Sequence, residues 1–142
     1  MNNTDFEDIT GNFSVSKLKF LKGCITQNED GMYALFLPIA KFILDAETVE
    51  TSILLDFIEL PETLSWYIGK SVVFPVNPVE GYIDGSIYLK NAHSPVDVTE
   101  LRFISLENDI LTIEISMQFD FEFERIGFKN ESLKEIFVLE KK

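Results

Sequence analysis

The most regular alternation of apolar and polar residues in the chain runs from Leu111 to Glu124. In this segment, LTIEISMQFDFEFE, every odd position is apolar and every even position is polar or acidic. Successive side chains of a strand point to opposite faces, so the pattern predicts one long strand with an apolar face and a face that carries carboxylates. At about 3.3 Å per residue the strand would be about 45 Å long, and we therefore expect a bend or a bulge within it.

The preceding segment, residues 96–106, has the pattern of a partner strand. A three-residue loop between the two strands would pair Phe103 with Ile113 on the apolar face and Arg102 with Glu114 on the polar face. A two-residue loop would instead set Phe103 against Glu114. The sequence therefore predicts a long antiparallel hairpin with a three-residue loop.

Other segments rich in β-branched and aromatic residues predict shorter strands. They cover residues 13–25, 32–37, 72–74 and 82–90, and Gly, Asn, Asp and Pro cluster between them. Residues 45–59 fit either one helical face or a short buried strand, and we favour a strand over residues 53–59.

Two segments have helical features. Residues 61–69 begin with Pro and end with Gly, as short helices do. The C-terminal segment from residue 132 is either a short helix or an edge strand. Together the elements predict one α+β domain over residues 1–142, mainly antiparallel β-sheet with long hairpins and one or two short helices, in which residues 1–12 form a loose leader.

The charge of the chain restricts its partners. It has 24 acidic and 12 basic residues, a net charge of −12, and 46% hydrophobic residues that can form a core. Such a field repels phosphate backbones and anionic membranes and attracts cationic partners. In many proteins a net negative charge serves only to keep the protein soluble. We expect a cationic protein partner, and neither nucleic acid nor a membrane.

Catalytic and metal-binding motifs are missing from the sequence. Cys24 is the only cysteine and His93 the only histidine, which excludes an intramolecular disulfide and sites with two histidines. No phosphate-binding glycine motif and no nucleophile elbow occurs. The chain also has no basic N-terminal region of a signal peptide and no apolar run of about 20 residues. These features predict a cytoplasmic protein that is not an enzyme and has no cofactor or metal.

Acidic residues concentrate around the predicted hairpin. Between residues 91 and 124, eight acidic residues accompany one base, Arg102. Like charges side by side cost stability, so a concentration of them is either tolerated for solubility or used to meet a positive surface. The predicted partner-binding residues are Glu114, Asp120, Glu122, Glu124, Asp97, Glu107 and Asp109.

Two further features concern acidic residues. Asp120, Glu122 and Glu124 would be neighbours on one strand face, with a spacing close to that of catalytic carboxylate pairs. An acid–base pair needs two different environments, and nothing in the sequence distinguishes the environments of these carboxylates. The same carboxylates could also bind calcium, but they lack the turn of a known calcium loop. Residues 42–69 contain six acidic residues and no base, which makes them a second candidate acidic surface.

Residues 74–103, FPVNPVEGYIDGSIYLKNAHSPVDVTELRF, together with FDFEFE at 119–124, resemble small acidic immunity proteins of bacterial polymorphic-toxin and contact-dependent growth inhibition systems. The resemblance implies a non-enzymatic cytoplasmic inhibitor that binds one cognate toxin domain, often a cationic nuclease. We therefore expect stoichiometric inhibition of such a toxin through the acidic surface.

Two alternatives belong to other functional classes. The first is an acidic nucleic-acid mimic that inhibits a DNA-binding enzyme. The second is a small ligand-binding or enzymatic domain that uses Trp66, Tyr82 and Tyr88 with a carboxylate, which would require a deep pocket.

Overall fold

The computed structural model describes residues 6–11 and 13–142, which form ten β-strands and three 3-10 helices. The strands are β1 (Gly23–Gln27), β2 (Tyr33–Pro38), β3 (Phe42–Leu44), β4 (Glu47–Val49), β5 (Ser52–Ile58), β6 (Ser71–Val73), β7 (Asp84–Leu89), β8 (Ala92–Glu107), β9 (Ile110–Phe119) and β10 (Glu131–Lys141). The 3-10 helices are Val15–Lys17, Leu64–Tyr67 and Phe121–Glu124.

Seven strands close into a β-barrel. Their order is β8, β7, β5, β2, β1, β10 and β9, and β9 pairs with β8 to complete the ring. Each antiparallel contact reverses the strand direction, so a ring with an odd number of strands requires a parallel contact. The parallel contact is between β1 and β10, where Gly23 pairs with Leu139 and Ile25 with Lys141. The short β6 pairs with β8, and β3 pairs with β4 in a separate hairpin.

The predicted α+β class is therefore wrong, because the fold is a nearly all-β barrel. A barrel covers the apolar face of its sheet with the sheet itself and needs no helix for that purpose. The segment predicted as a helix contains only one 3-10 turn, Leu64–Tyr67, whose Leu64 and Tyr67 are buried. The largest fully buried side chains include Leu35, Leu37, Ile53, Leu55, Ile87, Leu101, Phe103 and Phe119, which lie on the barrel strands.

The β8–β9 hairpin has the predicted register along its central part and a different loop. Phe103 pairs with Ile113 and Arg102 with Glu114, as predicted. Glu107 pairs with Ile110, however, so the loop has two residues rather than three. A bulge between Phe103 and Ser105 adds one residue to β8 and restores the predicted pairs. The predicted three-residue loop is therefore wrong, because the bulge makes a two-residue loop compatible with these pairs.

The long strand predicted up to Glu124 ends at Phe119. The backbone N–H of Asp120 donates to the carbonyl of Pro95, and the next four residues form a 3-10 helix. Phe121 is buried there whereas Phe123 is exposed, so alternation fails at Phe123. The rings of Phe13 and Phe128 pack edge-on against Phe121.

The remaining predictions have mixed outcomes. The strand over residues 53–59 is confirmed as β5, while the strand predicted over residues 13–25 begins only at Gly23. The C-terminal segment is neither a helix nor an edge strand, since β10 pairs with both β9 and β1. Residues 1–5 and 12 of the predicted loose leader lie outside the described part. Ile9 of the same segment is buried, and its backbone N–H donates to the carbonyl of Ile43.

The barrel has two ends, which we name by residues of their connections. The Phe121 end carries the β7–β8 turn and residues 120–130, between β9 and β10. The Asn108 end carries the β8–β9 turn, residues 28–32 and residues 59–70. Successive antiparallel connections alternate between the ends, which fixes where each surface residue lies.

Gly85 allows β7 to approach β8 closely, which predicts a strong effect of adding a methyl group. A Cβ atom at this position would overlap the carbonyl oxygen of Val96 and lie 2.8 Å from Leu55 Cδ2. We expect Gly85→Ala to lower the free energy of unfolding by about 2 kcal/mol or more, measured by urea denaturation. The neighbouring outward substitution Ser86→Ala is the control, and equal stability of both variants would contradict the close approach.

Candidate partner-binding surfaces

The interior of the barrel is filled by apolar side chains and offers no polar recognition site. Leu37, Ile53, Leu55 and Ile87 are fully buried inside it. Ser94 is buried with them, and its hydroxyl has no hydrogen-bond partner among the described residues. Ligand sites need several converging polar groups. Binding chemistry must therefore reside on the outer face or at the barrel ends.

The structure distributes the seven predicted partner-binding carboxylates over three places. At the Phe121 end lie Asp97, Asp120, Glu122 and Glu124. Glu107 and Asp109 lie at the Asn108 end, about 30 Å away along β8. Glu114 lies between the ends, where its Oε1 atom is 2.9 Å from Arg102 Nε. They do not form one continuous platform, and their part in partner binding stays a prediction.

Asp97 and Asp120 interact at the Phe121 end. Burial raises the pKa of Asp97, a hydrogen bond from the backbone of Asn77 opposes this shift, and the negative charge of Asp120 adds to it. Asp97, Asp120 and Glu131 line one surface depression at this end. The carboxylate of Glu131 accepts hydrogen bonds from Ser14 Oγ and the backbone N–H of Val15. Glu131 thus fixes the first 3-10 helix.

Asp120, Glu122 and Glu124 do not share a strand face, because they lie at and within a 3-10 helix. Glu122 Oε2 accepts a hydrogen bond of 3.2 Å from the backbone N–H of Asn130, whose side chain accepts one of 2.9 Å from the backbone N–H of Glu122. In residues 6–11 and 13–142, no group of three or more His, Cys, Asp or Glu residues is arranged to hold a metal ion. The strand geometry on which the catalytic and calcium interpretations depended is therefore missing.

The aromatic residues considered for a ligand site lie apart. Trp66 is at the Asn108 end, where the ammonium group of Lys70 lies 4.3 Å from the centroid of its ring. Tyr88 lies on β7 near the Phe121 end and contacts His93 edge-on. They do not converge on one pocket.

Strands β1, β2, β5 and β7 are neighbours in the barrel and contain no Lys or Arg. We call their outward side the base-free face. Its exposed large hydrophobic side chains are Tyr88 near the Phe121 end and Phe36, Leu54 and Phe57, of which the last three are 43%, 45% and 52% exposed. Its charged residues are Asp56 and Asp84, which pair directly across β5 and β7. Apolar and acidic groups are therefore combined on this face.

Phe57 has a backbone conformation that is unusual for a bulky residue, with φ of 60°. Tyr33 pairs with Ile58 and Leu35 with Leu55, so β5 has one residue more than β2 between these pairs. This bulge brings Asp56 and Phe57 together opposite Ala34. The backbone N–H of Phe57 donates to Asp56 Oδ1 at 2.9 Å.

The sequence contains a signal for this apolar group in its runs of consecutive apolar residues. Leu54 and Phe57 belong to the run ILLDFI, and Phe36 to the run ALFL. Consecutive apolar residues are typical of strands buried on both faces. In the barrel one face of each strand is open, so the same runs leave large apolar side chains exposed.

Comparisons of the chain with protein-family models, curated proteins and solved structures give no match. None of the helices in the described part of the chain has the length and apolarity required to cross a membrane.

The raised pKa of Asp97 predicts a pH-dependent effect of its substitution. Ionised Asp97 is disfavoured in the folded state, so its charge reduces stability above its raised pKa and has no effect once both states are protonated, below the ordinary value of 3.8. We expect Asp97→Asn to raise Tm at pH 7 and this gain to disappear below about pH 4.

Thermal unfolding followed by circular dichroism across this pH range would measure the effect. Glu124→Gln removes one negative charge from an exposed position at the same end and is the matched control. An equal gain for both variants at every pH would show that burial of Asp97 is not the cause.

Proposed function

We propose that the protein is a non-enzymatic inhibitor that binds one cationic protein with fixed stoichiometry through its acidic outer surface. The observation that carries this proposal is the excess of acidic residues without basic neighbours. The chain has 24 acidic residues, and the described part contains four ion pairs, Glu7 with Lys19, Asp45 with Lys90, Glu114 with Arg102 and Glu140 with Lys142. Most carboxylates are thus available to a positive partner.

The filled barrel supports binding rather than catalysis. Among the described residues the barrel interior is filled by apolar side chains, and the closed sheet holds outward side chains in fixed positions. A rigid surface loses little conformational entropy when it binds, which favours affinity. Complementary charge accelerates encounter with the partner and makes the association rate depend on salt.

The resemblance of residues 74–103 to immunity proteins supports a toxin domain as the partner. We accordingly propose that binding occurs in the cytoplasm and blocks the active site of a basic toxin, for which a nuclease is the expected activity. A nuclease surface that accepts phosphate is positively charged, and an acidic protein competes for that surface.

A pull-down from the native organism tests the proposal directly. With this protein as bait, we expect one stoichiometric cationic protein that is retained at low salt and released as salt rises. An unrelated acidic protein of similar net charge is the control bait. No specific partner in either wash would contradict the proposal, and a specific DNA-binding enzyme would support the nucleic-acid-mimic alternative.

Inhibition is tested by co-expression of the partner found in this way. Expressed alone in a bacterium the partner should arrest growth, and co-expression of this protein should restore it. Growth arrest that persists at equal amounts of both proteins would contradict inhibition even where binding is observed.

A further inference from the structure

We propose that the base-free face is the surface on which this cationic partner docks. Phe36, Leu54 and Phe57 would pack against an apolar side chain of the partner, and Asp56 and Asp84 would contact lysine or arginine residues beside it. The inference rests on the proposed function and identifies the surface that performs it.

The apolar part of the face is continuous. Phe36 pairs directly with Leu54 across β2 and β5, and Phe57 follows Leu54 on the same outward side because of the bulge. Exposed apolar groups of this kind, rimmed by polar residues, mark interaction sites. Aromatic side chains at the centre of an interface supply a large share of the binding energy.

The charged part of the face is not neutralised by the protein itself. Asp56 and Asp84 are direct cross-strand neighbours, and neither belongs to the ion pairs of the described residues. Like charges opposite each other in a sheet are destabilising. A positive group placed between the two carboxylates would relieve this repulsion, so the pair favours a cationic occupant.

The backbone of Phe57 has a strained conformation that keeps its side chain exposed. A left-handed conformation costs a bulky residue stability, and such costs are concentrated at functional sites. The bulge orients Phe57 outward next to Asp56 instead of into the core. Strain, exposed aromatic area and unneutralised charge therefore coincide at one bulge.

A second group of exposed apolar side chains lies on β10. It allows specific docking on the base-free face to be separated from nonspecific binding to any exposed apolar group. Ile136 and Val138 on β10 are 52% and 43% exposed, close to the values for Phe57 and Phe36. Lys22 and Lys134 lie beside them, since Gly23 pairs with Leu139 and Lys134 is on β10 itself. Glu135 and Glu140 on β10 lie nearby, and Glu114 pairs directly with Ile136 but is bound to Arg102. The charges around this group are therefore mixed, so it attracts a cationic partner less than the base-free face does, and β10 is the control surface.

A second copy of the chain fits the base-free face less well than a cationic partner does. Self-association through this face would bring two pairs of carboxylates, Asp56 and Asp84 from each copy, into one interface without a base. Each copy also carries a net charge of −12. The repulsion between these carboxylates and the repulsion between the two net charges both oppose a homodimer.

The test uses the full-length protein labelled with ¹⁵N and two peptides of equal charge. One peptide alternates lysine with leucine and the other alternates lysine with serine. We expect the lysine–leucine peptide to shift the amide signals of Phe36, Leu54, Phe57 and Asp84, and to bind more tightly than the lysine–serine peptide.

Matched variants separate the apolar and the charged contributions. Leu54→Ser should weaken binding of the lysine–leucine peptide about tenfold, whereas Ile136→Ser should leave it unchanged. Asp84→Asn should reduce the salt dependence of binding, and Glu135→Gln on β10 should not. Unchanged amide spectra away from each substitution show that the variant is folded.

Peptide-induced shifts that cluster outside the base-free face, or equal effects of Leu54→Ser and Ile136→Ser, would overturn the inference. Shifts on this face that appear on concentrating the protein without peptide would identify a second copy as the occupant and also overturn it. The proposed function fails separately, by the absence of a specific cationic partner in the pull-down.

Discussion

The parallel pairing of β1 with β10 is the contact on which the rest of the structure depends. Six antiparallel contacts connect seven strands, and this one parallel contact closes them into a ring. Gly23 lies at the contact, where a Cβ atom would overlap the carbonyl oxygen of Phe36 and approach Leu139. Without closure the sheet would have two open edges and an apolar face without cover. With closure the same residues form a filled core.

Closure of the barrel also determines which side chains a partner can contact. Because each barrel strand has one buried and one open face, its outward side chains are available to a partner at fixed positions. The acidic residues and the large apolar residues of the base-free face are then presented by a rigid support rather than by loops. The combination of an acidic surface, a filled interior and exposed aromatic side chains underlies both proposals.

Parts of the fold were predictable where the information is local. The alternation in β9 identified its buried face from Leu111 to Phe119, and matching it to β8 gave the pairs Phe103 with Ile113 and Arg102 with Glu114. The bulge near Ile104 moves the inward apolar positions from Leu101 and Phe103 to Leu106, and Ile104 obscures this shift because it is apolar as well. The 3-10 helix after Phe119 was missed for a similar reason, since its FEFE sequence continues the alternation.

The barrel itself depends on contacts that are distant in sequence. No local signal in the sequence shows that residues 23–25 pair with residues 139–141. The C-terminal segment was therefore as compatible with an edge strand or a helix as with the central strand that it forms. The identity of the acidic residues was visible in the sequence, while their division between the Phe121 end and the Asn108 end required the strand order. The apolar runs containing Phe36 and Leu54 were visible too, but only closure shows that one side of each run is exposed.

Amide hydrogen exchange at the junction of β1 and β10 tests barrel closure most directly, and the functional account depends on closure. Over residues 139–141 of β10 and 23–25 of β1, where the two strands pair, some amides lie in the β1–β10 junction, while the other amides of β10 face β9. A closed barrel predicts that both sets exchange as slowly as the amides between β8 and β9, through cooperative unfolding. Fast exchange of the amides that face β1, with slow exchange of those that face β9, would reveal an open sheet and contradict the account.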